Sequence, residues 1–286
     1  MRFRVSSMKV EASAGSQNMP PLLKVENLVK CYARRSLVGR GEELLALNGV
    51  SFTVFPGTTL AVVGESGSGK STLASCLACL ESPTAGNIWF EGKDIVKVEE
   101  RVRRQLRPQI QLIFQDPASS LNPRWSVLEI LLEPLILRRK FTREEMKQCA
   151  SSLLERVGLS PDFVERPPTE LSGGQRQRLA IARALALQPK LLILDEALSA
   201  LDCSVQAQIA NLLRELQSSL GMTYLFITHD LAMAVYLADE IAVMSRGRIV
   251  ELGSAEQILD QPQHETTRQL LRALPRMTRA LPAPEQ

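Results

Sequence analysis

Residues 64 to 71 read Gly64-Glu65-Ser66-Gly67-Ser68-Gly69-Lys70-Ser71. Glycines at these offsets let backbone N–H groups wrap an anion, and a lysine and a hydroxyl follow at fixed spacing. Such a loop binds a phosphate chain when it joins a strand to a helix, because the bare N–H groups of the helix start add their dipole to the attraction. The flanks meet that requirement: Thr59–Val63 is a short apolar run, and Ser71–Leu80 is an apolar helical stretch. In this setting Lys70 reaches the outer phosphates and Ser71 offers an oxygen to Mg²⁺.

A second chemical signal lies downstream. Leu191-Leu192-Ile193-Leu194 runs into Asp195 and Glu196. A buried strand expels such charges unless a cation or hydrogen bonds compensate them, and the carboxyl end of a parallel strand is where a ligand crevice forms. Asp195 would there hold the Mg²⁺ shell, and Glu196 would polarise an attacking water as general base. The alternative is two acids merely solvated at a strand end. Leu171-Ser172-Gly173-Gly174-Gln175 then opens another glycine-led helix, so that one chain carries two helix starts able to hold an anion.

The three stretches together resemble the phosphate loop, acidic strand end and LSGGQ signature of the ABC ATPases. That resemblance implies an α/β fold of the P-loop NTPase type, with a RecA-like core, an antiparallel β edge and an inserted α-helical lobe. It also implies ATP contacts along the whole stretch from Gly64 to Thr72. Gln115 resembles the Q-loop glutamine, which contacts metal and water and reports to membrane subunits. Ser199-Ala200-Leu201-Asp202 resembles the D-loop, which crosses a dimer interface, and His229 resembles the switch histidine that bonds the γ-phosphate. Tyr32 is the candidate for stacking on adenine; a plain surface tyrosine is the other reading. In the family, Ser172, Gly173, Gly174, Gln175 and Asp202 would serve the ATP held by the other chain of a head-to-tail dimer.

A narrower resemblance is carried by Gln111-Leu112-Ile113-Phe114-Gln115-Asp116-Pro117, by Ser119-Ser120-Leu121-Asn122-Pro123, and by Pro262-Gln263-His264-Glu265-Thr266-Thr267 with the stretch Leu270 to Pro275. These look like the dipeptide, oligopeptide and nickel importer ATPases. The implied partners are a second, related ATPase, two transmembrane permease subunits and an external substrate-binding protein acting through the permease. The implied location is the cytoplasmic face of the inner membrane. Ala197 stands where the family usually has proline, and Glu265-Thr266 where the group often has Pro-Tyr; both leave the motor's chemical groups intact. An exporter, or an ABC ATPase of DNA repair or translation, is the competing reading. Against the latter, the chain has neither a long coiled coil between its ATPase halves nor a tandem second copy.

The remaining sequence must position these groups. At 286 residues, with 45% hydrophobic and 23% charged residues, the chain can bury a large core. Its net charge of +3, with both signs interleaved, argues against nucleic acid as a partner. Five scattered cysteines read as free thiols, and the Cys76–Cys79 pair as small buried residues on a helix. No apolar stretch approaches the ~20 residues of a membrane span. Residues 1–21 read as a loose tail, 22–260 as the ATPase domain with its helical lobe at about 116–170, and 261–286 as a short extension. The ordered part is expected to begin at Leu22–Val29. Strands are expected at Ala46–Val54, Ile88–Phe90, Ile110–Phe114, Leu191–Leu194 and Thr223–Ile227, with helices at Gln175–Leu187 and Val205–Gly221 and a closing hairpin at Ile241–Met244 and Arg248–Val250.

Overall fold

The computed structural model of the protein describes residues 19–33, 43–116, 120–136 and 142–273. Residues 1–18 of the expected tail, Pro117 and Ser119 of the importer-like string, and Pro275 lie outside the described residues.

In chain order the strands are β1 (Leu23–Ala33), β2 (Glu43–Val54), β3 (Thr59–Val63), β4 (Ala85–Phe90), β5 (Lys93–Asp94), β6 (Ile110–Ile113), β7 (Leu191–Asp195), β8 (Thr223–Thr228), β9 (Glu240–Ser245) and β10 (Arg248–Ser254). Six of them form a sheet of order β10-β9-β3-β8-β7-β6. Within it β9, β3, β8, β7 and β6 run parallel, and β10 turns back on β9 as the expected hairpin. Every residue of β3, β7 and β8 is buried, as befits strands covered on both faces.

Side-chain alternation then divides the core in two. Ala61, Val63, Leu192, Leu194, Tyr224 and Phe226 point into one apolar cluster, while Leu60, Val62, Leu191, Ile193, Leu225 and Ile227 point into the other. The first face is covered by helices α3 (Val127–Ile136), α4 (Arg143–Arg156), α5 (Gly173–Leu185), α6 (Cys203–Leu220) and α7 (Leu231–Leu237). The second is covered by α1 (Lys70–Leu77), by α2 (Glu100–Leu106) through Val102 and Leu106, and by the remaining strands.

Those remaining strands refine the expectation of an antiparallel edge. They make a separate four-stranded sheet of order β2-β1-β4-β5, whose register pairs Leu23 with Val54 on one side and with Phe90 on the other. Its inward residues Leu23, Val25, Leu28, Val50 and Phe90 share a cluster with Leu73 and Leu77 of α1. The seam to the parallel sheet is short and lies beside the phosphate loop: the N–H of Asn48 donates to the carbonyl of Gly247 (2.8 Å), and the N–H of Gly247 donates to the carbonyl of Ser68 (2.9 Å).

Helix ends follow local chemistry. Thr142 and Glu145 form a reciprocal cap at the start of α4, and Ser172 and Gln175 do the same for α5. Gly221, at φ +64°, closes α6 in the left-handed region that glycine enters without strain. The helix expected to reach Leu80 stops at Leu77, and Cys79 takes φ +57° in the turn beyond it. Between them, α3 and α4 with the short turns at Pro161–Phe163 and Pro168–Glu170 fill most of residues 127–170. Beyond the hairpin, α8 (Ala255–Asp260) and α9 (Glu265–Ala273) lie against the sheet, with Leu270 and Leu271 packed on its first cluster.

Candidate active site

Parallel strands in matched register deliver their carboxyl ends to one edge. Val63 pairs with Thr228, Ile227 with Asp195, and Leu194 with Ile113. The residues at and just beyond these strand ends are therefore gathered together: the loop from Gly64, the acids Asp195 and Glu196, His229, and Gln115. This is the crevice position at which open α/β sheets bind ligands.

The loop is shaped by close packing as much as by glycine flexibility. Gly69 has φ +106°, and a Cβ there would lie 2.4 Å from the carbonyl oxygen of Ala46. Gly64 leaves room for the carbonyl oxygen of Met244, which a Cβ would approach to 2.2 Å. Glu65, Ser66 and Gly67 are exposed, whereas Ser68 is buried and its hydroxyl has no partner among the described residues.

Lys70 opens α1 and is only 4% exposed. Its ammonium donates to the carbonyls of Gly64 and Glu65, both at 2.9 Å, and lies 3.8 Å from Glu196 Oε1. Burial draws its pKa below the ordinary lysine value, against the opposing pull of Glu196 and Asp195. Ser71 Oγ donates to Asp195 Oδ1 at 3.2 Å. Asp195 is 8% exposed, and burial holds its pKa above the usual carboxylate value, with the Ser71 hydrogen bond opposing the shift.

Glu196 is held in an uncommon backbone state, φ +48°. For a side chain with a Cβ the left-handed region costs roughly 1–2 kcal/mol, so its surroundings must over-determine it. They do: its N–H donates to the carbonyl of Ile227 (2.9 Å), and its own carbonyl accepts from the N–H and hydroxyl of Ser199 (3.0 and 2.8 Å). The side chain is thereby aimed so that Oε2 lies 3.3 Å from His229 Nδ1. Ser199 also accepts from Gln115 Nε2 at 3.3 Å. One hydroxyl thus links the Gln115 loop to the Glu196 backbone, a role with no signal in the sequence.

The oxygens of Ser71 and Asp195 suit a hard divalent cation. Among the described residues no cluster of three or more His, Cys, Asp or Glu could enclose a metal. Mg²⁺ does not need one, since it is usually held by one or two carboxylates together with substrate phosphates.

The remaining candidates lie apart from this cluster. Ser172, Gly173, Gly174 and Gln175 form the exposed or half-exposed first turn of α5, and Asp202 is exposed at the start of α6 without a side-chain cap bond. Among the described residues no hydrogen bond or ion pair joins them to the Gly64–Ser71 loop. Tyr32, near the end of β1, donates its hydroxyl to Glu81 Oε2 at 2.5 Å. Burial and this acceptor raise the pKa of the phenol, while Thr72, in the first turn of α1, sits close enough to oppose the shift. Cys31, Cys76, Cys79, Cys149 and Cys203 are free thiols. A surface cavity of about 490 Å³, lined by Pro56, Glu91, Arg156 and Lys190 among others, includes none of the candidate residues.

A glycine loop leading into Lys70, an acidic strand end and a histidine beside it on a parallel sheet, flanked by a separate antiparallel sheet and a helical layer, are the architecture of an ATP-binding cassette. The chain belongs to the ABC transporter family, whose model matches residues 47–199, and it is an ATP-binding, ATP-hydrolysing subunit of that family. It is 46% identical over 259 residues to the dipeptide transport ATP-binding protein DppF of Haemophilus influenzae, a match covering 90% of this chain and 79% of that protein. It is likewise 46% identical to DppF of Escherichia coli, over 90% of this chain and 77% of that one. Among solved structures it resembles the dimeric post-hydrolysis state of the cassette MJ0796 bound to ADP and Pi, with TM-score 0.72 and 30% identity over 82% of this chain and 98% of that one. It also resembles CbiO1 of Clostridium perfringens, part of the transporter complex cbiONQ, with TM-score 0.73 and 31% identity over 90% of this chain and 97% of that one.

Proposed function

We propose that this subunit powers the import of peptides through a pair of membrane permease subunits, taking its substrate from an external binding protein and working at the cytoplasmic face of the membrane. Its relatives are named for dipeptide transport. No helix among the described residues is long and apolar enough to cross a membrane, so the path for the substrate belongs to the partners.

The observation that carries the mechanism is the Glu196 carboxylate, held 3.8 Å from Lys70 and 3.3 Å from His229 at the end of β7. The Gly64–Thr72 loop binds the phosphate chain of ATP through backbone N–H groups, and Lys70 exchanges its carbonyl partners for phosphate oxygens. Ser71, Asp195 and Gln115 would hold Mg²⁺, which would neutralise charge on the transferring phosphoryl group. Glu196 orients a water and takes its proton as the oxygen attacks the γ-phosphorus, releasing ADP and phosphate. His229 steadies both the base and the γ-phosphate. Tyr32 stacks on the adenine. The exposed first turn of α5, Ser172 to Gln175, together with Asp202, meets the ATP of a second, related ATPase in a head-to-tail dimer. The helical segment at about 116–170 couples closure of that dimer to the permease.

The test uses the purified intact complex. Glu196→Gln should keep ATP bound at this chain's site and slow turnover by about 100-fold or more, the scale of a lost general base. Gly173→Asp introduces a charge at the α5 start, where a Cβ meets only ordinary contact with Leu201 at 3.5 Å. It should leave ATP crosslinked at Lys70's site while blocking hydrolysis at the partner's nucleotide. Loss of this chain's own nucleotide, with no effect on the partner's, would sink the shared-site mechanism.

A further inference from the structure

Tyr32 lies on the antiparallel sheet, whereas the phosphate loop leads into α1. The two are joined through the short segment 81–84 beyond α1. Glu81 Oε2 accepts from the Tyr32 hydroxyl at 2.5 Å and lies 3.2 Å from Lys30 Nζ. Lys30 Nζ donates to the carbonyl of Ser82 at 2.9 Å and sits over the Tyr32 ring, 4.9 Å from its centroid. Thr84 completes the join: its hydroxyl accepts from the N–H of Cys31 (2.9 Å), and its own N–H donates to the carbonyl of Val29 (2.7 Å). A phenol ring restrained at its hydroxyl by a carboxylate and at one face by an ammonium has lost most of its rotational freedom.

We infer that Glu81 and Lys30 are positioning residues that lock Tyr32 at a set distance from the phosphate loop, with one ring face covered and the other presented to the nucleotide base. This rests on the proposal that Tyr32 meets the adenine, and it goes beyond that proposal by assigning selectivity to groups that touch no nucleotide. The physical advantage is pre-organisation: the entropy of fixing the ring is spent in folding rather than in binding. The cation on the covered face polarises the ring without obstructing the other face. Because Glu81 follows α1 closely and its N–H donates back to the carbonyl of Ser75 in that helix (3.2 Å), the aromatic and the loop behave as two ends of one gauge, matched to a base plus ribose plus phosphate chain rather than to phosphate alone.

The experiment compares ATP with inorganic triphosphate, which lacks the base, by equilibrium binding to the full-length protein. Glu81→Ala should weaken ATP binding about threefold, the scale of one hydrogen bond, and leave triphosphate binding unchanged. Glu81→Gln, which still accepts from the phenol, should restore most of the affinity. Tyr32→Phe, which also removes the Thr72 contact, should lose at least as much, and adding Glu81→Ala to it should cost little further, since the Glu81 bond is already gone. Wild-type ATP affinity in Glu81→Ala overturns the inference, as does an equal loss for ATP and triphosphate, which would mean a general disturbance of the fold. Tyr32→Ala separates the two levels. If it weakens ATP while Glu81→Ala does not, only the positioning role fails. If Tyr32→Ala binds ATP normally, the stacking role and the inference both fall.

Discussion

Gly64→Ala tests whether the phosphate loop is held by tertiary packing or only by its own flexibility. The added Cβ would stand 2.2 Å from the carbonyl oxygen of Met244 and 3.0 Å from Ser68 Oγ. Carbon and oxygen settle at roughly 3.3–3.6 Å even in favourable C–H···O contacts, so about 1 Å must be found. Met244 cannot easily supply it, because β9 is laddered to β10 at Ile249 and to β3 at the neighbouring Val243. Overpacking a site with so little freedom costs about 2–3 kcal/mol, which for a domain of this size lowers the melting temperature by about 5–10 °C. Gly67→Ala is the internal control. That residue has φ +79° but nothing within 4 Å of the added carbon, so it bears only the conformational cost of about 1 kcal/mol. Both variants would be melted without nucleotide, by circular dichroism at one scan rate. Equal melting temperatures in the two variants, or a Gly64→Ala protein as stable as the parent, would refute the packing argument.

Two charged groups give further expected outcomes. Asp195→Asn should raise the melting temperature of the nucleotide-free protein by about 2–4 °C, because it removes a buried carboxylate disfavoured by desolvation, while abolishing the extra stabilisation given by ATP with Mg²⁺; a lower melting temperature without nucleotide would contradict this. Glu251 accepts from the N–H groups of Gln263 and His264, both at 2.8 Å, and from the Thr267 hydroxyl. Burial alone would raise its pKa, but these donors outweigh it and leave the carboxyl below its ordinary value. Its contribution to stability is therefore present above the unfolded carboxylate pKa and lost as pH falls through the folded one. Glu251→Gln should cost about 1–2 kcal/mol at pH 7, and the gap from wild type should narrow as pH falls through the folded-state pKa, which lies below the ordinary glutamate value. A gap that stays constant over that range on thermal melting would show that the charge is not what holds α9.

The elements that carry the candidate site were legible in sequence wherever the physics is local. A glycine loop leading into Lys70 and Ser71, apolar runs ending at Val63 and Asp195, and a capped glycine start at Ser172 each depend on neighbours a few residues away, so spacing alone announced them. The resemblance carried by the LSGGQ stretch extended this to Gln115 and His229. Other features depend on contacts between residues far apart in the chain. Only parallel register brings Gln115, Glu196 and His229 to one edge, and only the strained turn at Glu196, closed by Ser199 and Ile227, aims the carboxylate at His229. That the antiparallel strands form a sheet of their own, and that Tyr32 is tethered by Glu81, 49 positions away, is decided by packing against α1. The physical reason is that side-chain periodicity records which face of an element is buried, whereas the partner on that face is selected by the global arrangement of the core. Gly64 shows the difference most directly: its place in the loop was readable from spacing, but the need for a missing Cβ comes from a carbonyl 180 residues downstream.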